Sequence, residues 1–406
     1  MNPGSVPGGD AQRSGVEFVL LMAAMMSLVA LCIDVMLPAF PWIAADLDVA
    51  SANDVQLVVA TMFVGLAVGQ PLYGPLSDSI GRKPAMHAGF AILAAGTLLA
   101  LFANSFAVLL AGRFLQGLGA AGPRTVSIAL VRDRFRGSDM ARVMSFIMTV
   151  FILVPILAPA VGQGILLVTG SWRAIFVFIL LFSVAVQAWL TLRQPETLPL
   201  AMRRPFTLIS VRAAFLEVLR NRPAMGFTLV GGCTFGAFMG YLNTSQPIFG
   251  TQYELGARFP LVFAGLALSA GLAAMLNGQL VMRYGMHRLT FTALHVIMIL
   301  SWGLLLLGLA TGGHPPLWAF LAPLVAWFFC IGFIFGNINA MAMESLGHVA
   351  GSAAAVIGTL TTLLAVAFGF LTGHAYNGTV LPLVTGFAAL TTVSVVLVRV
   401  LRAHTA

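Results

Sequence analysis

Residues 74–84 read Gly-Pro-Leu-Ser-Asp-Ser-Ile-Gly-Arg-Lys-Pro, and this stretch decides the fold. Gly81 permits a tight turn where two helices reverse direction. Pro84 suits the first turn of the helix that follows. Arg82 and Lys83 place two positive charges at the turn, and Asp78 adds an acid beside them. The stretch therefore predicts a helix hairpin with a charged turn.

The chain on either side of this turn is too poor in charge to build a soluble surface. Of its 406 residues, 59 % are hydrophobic and only 8 % are charged, against about 25 % charged in soluble domains. No Asp, Glu, Lys or Arg occurs between Asp54 and Asp78 or between Lys83 and Arg113. Such gaps hold apolar stretches of about 20 residues, which cross about 30 Å of hydrocarbon as helices. Membrane-barrel strands would be shorter and alternating.

This pattern predicts an all-α integral membrane protein with twelve transmembrane helices. The expected spans are 16–40, 55–76, 84–103, 106–131, 143–168, 172–192, 224–250, 259–282, 289–311, 316–343, 351–373 and 380–400.

The basic residues predict the orientation. Of the 21 Lys and Arg residues, Arg173 and Arg258 fall on one side of the predicted membrane, and Arg113 and Arg124 lie within the fourth helix. All the others lie in or beside segments of the opposite side. The positive-inside rule makes that side cytoplasmic, with both termini there. The net charge of +8 is thus a topology signal, and we do not expect a nucleic-acid partner.

The longest polar stretch inside the chain runs from Arg193 to Arg222 and is rich in Pro and Arg. It predicts a linker between two halves. The expected organisation is a cytoplasmic tail at 1–15, a six-helix bundle at 16–193, a cytoplasmic linker at 194–222 and a second six-helix bundle at 223–406.

A faint internal repeat supports two pseudo-symmetric halves. Gly74 and Gly81 follow the second helix, and Gly278 and Gly285 follow the eighth, at the same offset of 204 residues. Parallel repeats of this kind place the substrate site between the halves.

Cofactor chemistry has no sequence signature here. Cys32, Cys233 and Cys330 all lie in apolar spans without metal-ligand spacing. The seven histidines are scattered, with no paired-ligand spacing. We expect no metal and no cofactor.

Together with residues 74–84, further segments resemble one transporter family. They are residues 34–41, 112–117, 155–162 and 350–355. The chain is similar to the major facilitator superfamily, and within it to the twelve-helix drug:H⁺ antiporters of the Bcr/CflA branch, which export bicyclomycin- and chloramphenicol-type compounds. The resemblance implies the major facilitator fold, a proton gradient as energy source, and location in a bacterial inner membrane.

Asp34 is the carboxylate placed deepest in an apolar span. A charge inside the bilayer costs at least about 2.5–3.5 kcal/mol, so it persists where function or pairing offsets that cost. Burial disfavours the charged form, so Asp34 is a candidate for loading and releasing a proton as its exposure changes. The alternative is a static partner for Arg113 or a backbone group. Pro38 is expected to end or bend the helix just beyond Asp34.

Arg113 lies about two turns into the fourth helix, at a depth similar to that of Asp34. A buried guanidinium must be paired or face water. The resemblance implies that Arg113 and Gln116 belong to the proton and substrate machinery. Arg124 is 11 residues further along the same face, and it could equally be a structural cation.

The fifth predicted helix carries Pro155, Ala158, Pro159 and Gly162. The two prolines lack an N–H and soften the helix, while Ala158 and Gly162 allow another helix to pack closely. Packing alone could explain this spacing. The resemblance identifies the segment with the antiporter motif, which favours export over uptake.

Four residues are candidates for lining the substrate cavity. Phe238, Tyr241 and Asn243 lie on the seventh helix beside a thin face of glycines, and Asn337 lies on the tenth.

The turn at residues 74–84 is a candidate cytoplasmic gate, with Gly81, Arg82 and Lys83 at its centre. Asp78 is expected to approach the start of the eleventh helix, at Gly351 and Ser352, because an acid is favoured at a helix N-terminus. Arg82 is expected to reach Asp133 in its own half. Alternatively, Asp78 only neutralises Arg82 and Lys83 within the turn.

These observations predict a monomeric, proton-coupled exporter of small amphipathic or weakly polar compounds, with substrate, protons and lipid as its partners. An exporter of an endogenous metabolite would use the same machinery. A membrane enzyme would need a catalytic constellation, and a receptor would more plausibly carry a folded extramembrane domain; neither feature is visible in the sequence.

Overall fold

The computed structural model describes residues 8–135, 137–203, 205–346 and 350–403, and in these ranges the chain is helical without a strand. The α-helices are α1 (Gly8–Asp34), α2 (Phe40–Asp46), α3 (Leu57–Ile80), α4 (Arg82–Leu101), α5 (Phe106–Arg134), α6 (Gly137–Thr169), α7 (Arg173–Arg193), α8 (Leu208–Arg220), α9 (Arg222–Ser245), α10 (Phe259–Tyr284), α11 (Met286–Ala310), α12 (Leu317–Met343), α13 (Ala350–His374) and α14 (Leu381–Ala403).

All of these except the short α2 and α8 are long helices. Ten of the long helices, as far as they are described, are long and apolar enough to cross a membrane. The other two are α5, which carries Arg113 and Arg124, and α6, whose described apolar stretch is Leu153–Thr169. The prediction of an all-α fold with twelve long helices is confirmed.

The first helix differs from its predicted span at both ends. It begins at Gly8, inside the segment expected to be a tail, and it ends at Asp34 rather than at residue 40. A 3-10 turn at Leu37–Ala39 and the short α2 follow. Pro38 cannot donate a backbone hydrogen bond, so the expected break just beyond Asp34 is present.

The repeated glycines have the same backbone conformation. Gly81 joins α3 to α4 with φ 107° and ψ 158°, and Gly285 joins α10 to α11 with φ 77° and ψ 148°. Both lie in the positive-φ region that favours glycine. The weak sequence repeat therefore marks equivalent turns of the two halves.

The linker between the halves contains a helix that the sequence analysis did not predict. Within residues 194–222 the chain forms a 3-10 turn at Leu200–Met202 and then α8. Ala214 and Val218 of α8 are buried, and α8 packs against α9, α13 and α3.

Within the described residues, the most extensive packing between the halves is that of α3 against α13 and of α6 against α10. We call the end that carries residues 74–84 the motif end. The other end, which carries residues 47–56 and 375–380, we call the distal end.

Candidate functional site

Asp34 is the last residue of α1, and only 5 % of it is exposed. Its carboxylate makes no hydrogen bond or ion pair within the part of the chain that the structure describes. It lies within electrostatic range of Tyr241, whose buried hydroxyl group is also without a hydrogen-bond partner there. An acid so buried and unpaired costs free energy that packing does not recover.

Arg113 is fully buried in α5 and binds backbone carbonyls of two other helices. Its Nε donates to Val58 O of α3 at 3.0 Å, and its Nη1 donates to Cys32 O of α1 at 3.1 Å. Nη1 also donates to Gln116 Oε1, while Nη2 is buried without a described partner. No ion pair within 4.0 Å joins Arg113 to Asp34, so the structure does not contain the static pair that was the alternative for Asp34.

Gln116 extends this network into α4. Its Nε2 donates to Thr97 Oγ1 at 2.9 Å, and Thr97 Oγ1 donates to Leu93 O at 2.7 Å. Both ends of the Gln116 amide are therefore occupied within the protein. The sequence analysis missed Thr97, because a single threonine in an apolar helix carries no pattern.

Helix α6, which carries the segment that resembles the antiporter motif, packs against the backbone next to Asp34. A Cβ atom on Gly162 of α6 would lie 2.0 Å from Val35 O, the carbonyl of the residue after Asp34. Ala158, one turn earlier, is buried. Because a backbone atom blocks the space, Gly162 permits an approach of α6 to α1 that a larger residue would prevent.

An aromatic cluster on α9 and α12 faces the same region. Tyr241 packs edge-on against Phe328, with ring centroids 4.7 Å apart, and Phe238 packs against Phe335 at 5.8 Å. Across the halves, Phe63 of α3 contacts Phe235 at 5.9 Å. Phe238 is half-buried and Tyr241 is buried, so Phe238 is the better placed of the two to touch a cavity.

The two asparagines predicted to line the cavity differ in their hydrogen bonds. Asn243 is buried, and its Oδ1 has no described partner. Asn337 exchanges two hydrogen bonds with Asn277 of α10, at 3.0 and 2.9 Å. Its amide is thus committed to helix pairing, a role that the sequence analysis did not foresee.

Arg124 is half-buried on α5. It makes no hydrogen bond or ion pair to any residue that the structure describes. Among the described residues, Arg124 therefore has no partner of the kind that a structural cation would pair with.

The turn at residues 74–84 is held by Arg82, which is 4 % exposed. Arg82 Nη1 donates to Asp78 Oδ1 at 2.5 Å, and its Nε donates to Asp133 Oδ2 at 2.9 Å. The expected contact between Arg82 and Asp133 is present. Asp78 makes no hydrogen bond or ion pair to the described part of α13, where Gly351 and Ser352 lie.

Glu196 of the linker also binds this turn, and the sequence analysis missed it. Its Oε1 accepts from Arg82 N and its Oε2 from Lys83 N, both at 3.0 Å. Lys83 Nζ in turn donates to Thr191 O at 2.8 Å. A Cβ atom on Gly81 would lie 2.6 Å from Glu196 Oε2. The linker thus caps the N-terminus of α4 with an acid, the charge that a helix N-terminus favours.

Backbone hydrogen bonds outweigh burial in setting the pKa of the Glu196 carboxyl group. Burial raises the pKa of its carboxyl group, but N–H donors from Leu198, Lys83, Arg82 and Thr197 together hold that pKa below its ordinary value. A carboxyl group whose folded-state pKa is lowered stabilises the fold above its unfolded pKa of about 4.3. The stabilisation is lost as pH falls through the folded-state pKa.

We therefore expect Glu196→Gln to lower stability at pH 7 by about 1 kcal/mol, the usual cost of a lost helix cap. The deficit should shrink below about pH 4. Thermal unfolding of the detergent-purified protein across pH measures both. Exposed Glu254 makes no described contact, so Glu254→Gln is the matched control and should leave the pH profile unchanged. Equal melting of Glu196→Gln and the wild type at pH 7 would contradict the capping role.

Comparison with known proteins agrees with this architecture. Residues 22–370 match the family described as Major Facilitator Superfamily. The chain is 30 % identical to the bicyclomycin resistance protein homolog of Haemophilus influenzae, over 95 % of this chain and 96 % of that protein. It is 27 % identical to multidrug resistance protein D of Escherichia coli, over 87 % of both chains. The fold is similar to that of the human organic anion transporter MFSD10 (TETRAN), with a TM-score of 0.69, 18 % identity and coverage of 95 % and 99 %.

A profile match over most of the chain and a relative aligned along nearly its whole length place the protein among multi-pass membrane transporters. The chain belongs to the major facilitator superfamily and, within it, to the Bcr/CflA-type branch.

Proposed function

We propose that this transporter exports small amphipathic or weakly polar compounds, drugs among them, in exchange for protons by alternating access. The observation that carries the proposal is Asp34, a buried carboxylate that has no hydrogen-bond or ion-pair partner among the described residues and lies at a break in α1. The names of the two bacterial relatives support drugs as the substrate class.

The motif end is proposed to face the cytoplasm of a bacterial inner membrane, with both termini on that side. Arg193, Arg203, Arg212 and Arg220, around the linker, lie at this end. Cytoplasmic loops carry the excess of Lys and Arg in membrane proteins. A monomer is sufficient for the mechanism, since both halves that form the cavity come from one chain.

The environment of Asp34 supports the proposed proton exchange. Because Asp34 makes no hydrogen bond to the residues that the structure describes, the carboxylate is unfavourable inside the protein, and the neutral acid is preferred whenever water is excluded. Opening to either side hydrates Asp34, and hydration lowers the free energy of the charged carboxylate. A proton taken up on one side is therefore carried across when the site closes and is released when the site opens on the other side.

Arg113 is proposed to hold the region around Asp34 in position. Its bonds to Cys32 O and Val58 O fix α1 and α3 against α5.

The proposed function is tested in proteoliposomes with an imposed pH gradient. Bicyclomycin, as a labelled probe within a compound panel, should accumulate when the gradient is present and equilibrate when a protonophore collapses it. Accumulation of panel compounds that ignores both the gradient and the protonophore would overturn proton coupling. Export of none of the panel by an overexpressing strain would overturn the substrate class.

The motif turn is proposed to gate the cytoplasmic side through Asp78 and α13. Asp78 lies on α3, and α3 and α13 are already neighbours further along the bundle, where Thr359 Oγ1 donates to Ala67 O at 3.1 Å. Closing the cytoplasmic side would bring Asp78 to the N-terminus of α13, near Ser352.

We expect a cysteine pair at positions 78 and 352, in a background without Cys32, Cys233 and Cys330, to crosslink and stop turnover. Tying these helices together prevents the cytoplasmic side from opening. Transport by the purified protein is measured before and after oxidation, and reduction should restore it as the internal control. Undiminished transport with the crosslink fully formed would exclude this turn as a gate.

A further inference from the structure

At the distal end, side chains from one half bind backbone carbonyls of the other. Asn53 Nδ2 donates to His374 O at 2.9 Å and to Tyr376 O at 2.8 Å. Gln56 Nε2 donates to Gly373 O at 3.1 Å. Asn53 and Gln56 lie in the 3-10 turn Ala52–Gln56 before α3, and the three carbonyls lie at the end of α13 and just after it.

Two side-chain amides of the first half thus cap a helix C-terminus of the second half. A helix leaves its last carbonyls without intrahelical partners. Carbonyls are acceptors only, so each amide must present its NH₂ group. The fit is therefore specific for a donor at positions 53 and 56.

Gly373 makes the close approach possible. A Cβ atom there would lie 1.6 Å from Gln56 Oε1 and 3.0 Å from the Cβ atom of Asn243 on α9. Gln56 is 2 % exposed. The Gln56 bond is buried, whereas the bond from Asn53 to His374 O is exposed. A side chain at position 373 would displace the Gln56 amide.

A nearby contact between His374 and Asp54, which is an ion pair only when the imidazole is protonated, is weaker than these hydrogen bonds. His374 Nδ1 lies 3.6 Å from Asp54 Oδ1, but the two side chains are 57 % and 32 % exposed. Exposed pairs of this kind contribute little. The amide-to-carbonyl bonds carry the contact.

The bonds between residues 52–80 and the second half are distributed unevenly along the bundle. They are found at the distal end and at mid-depth, where Thr359 binds Ala67, whereas Asp78 at the motif end bonds, among the described residues, within its own half. The amide contacts thus join the two halves at the distal end.

We propose that Asn53 and Gln56 are the positioning residues that hold the distal side of the transporter closed, by capping the end of α13. This inference rests on the proposed alternating access and names the residues for one of its two closures. In the state open at the distal end, these three bonds are broken and water solvates both partners.

The contact should be weak enough to break in each cycle. Each neutral hydrogen bond makes a modest net contribution, so loss of both Asn53 bonds should shift the open-to-closed ratio at the distal end about tenfold. Asn53→Asp is the sharpest variant, because it keeps the shape and replaces the donor with an acceptor that faces two carbonyls.

The test uses the full chain in lipid nanodiscs, with spin labels on cysteines at positions 104 and 316. Asn104 and Pro316 are exposed at the distal end, one in each half, and the native cysteines are replaced. Pulsed electron spin resonance measures the distance distribution between the labels. We expect Asn53→Asp to raise the long-distance population relative to the short one about tenfold, and Gly373→Leu to do the same.

Gln252→Leu is the matched control. Gln252 Nε2 donates to Gly313 O at 3.1 Å, an amide-to-carbonyl bond at the same end but within one half. Its loss should leave the distance distribution unchanged. Identical distributions in Asn53→Asp and the wild type would overturn the proposal, as would an equal shift in Gln252→Leu.

The distance readout requires neither substrate nor a proton gradient. A shift in Asn53→Asp together with absent gradient-driven transport by the wild type would therefore sustain this closure and overturn only the proposed proton coupling.

Discussion

Asp34→Asn is expected to abolish transport driven by a pH gradient, down to the level of empty liposomes. The amide keeps the size of the carboxyl group but cannot bind and release a proton. Since Asp34 makes no described hydrogen bond or ion pair, the substitution removes no described polar contact of the fold. Removing a buried ionisable group also removes the cost of its charge, so the variant should unfold at the same temperature as the wild type or higher.

The control for this prediction is Asp46→Asn. Asp46 lies on α2, 12 residues along the chain, and pairs with Arg173 and Trp172 at the surface. The same chemical change there should leave gradient-driven accumulation close to the wild-type rate. Wild-type accumulation by the Asp34→Asn protein would remove Asp34 from the coupling step.

Arg113→Lys is expected to impair export tenfold or more although the positive charge is retained. Arg113 donates from separate nitrogens to carbonyls of α3 and α1 and also binds Gln116. A lysine donates from a single nitrogen, so it cannot reproduce the fixed spacing of the Nε and Nη1 bonds to the two helices. Each lost bond to a charged donor is worth about 1.5–3 kcal/mol, and the carbonyls left behind are buried. Initial rates of gradient-driven export measure the effect.

Arg173→Lys is the matched change at a partly exposed position. Arg173 pairs with Asp46 and donates to Ala103 O at 2.8 Å, at the distal end of the bundle. Its replacement should alter export by less than twofold, because exposed pairs are worth about 0–1 kcal/mol. If Arg113→Lys exported at the wild-type rate, charge alone, or nothing, would matter at that position.

The sequence by itself determined the features that depend on local chemistry. Hydrocarbon thickness fixes the length of each apolar stretch, so long helices can be counted from composition and charge gaps. Gly81 and Gly285 could be recognised as equivalent turns because a positive φ strongly selects glycine. The break after Asp34 followed from Pro38, which cannot continue the hydrogen-bonding pattern of a helix.

The linker shows a limit of prediction from the local sequence. Its prolines and arginines marked it as polar, yet it contains α8, a helix of 13 residues. A helix of that length is marginal alone and is stabilised by tertiary packing, here through buried Ala214 and Val218. The local sequence therefore gives little indication that α8 is present.

Only the tertiary structure decided which groups the polar side chains bind. Arg113 binds the carbonyls of Cys32 and Val58, and Asn53 binds those of His374 and Tyr376. Every residue carries a backbone carbonyl, so no residue pattern marks those that become acceptors. Glu196 at the motif turn was hidden for the same reason, since its partners are backbone N–H groups. Helix packing selects among these otherwise identical groups, and it does so across more than 300 residues of chain for Asn53.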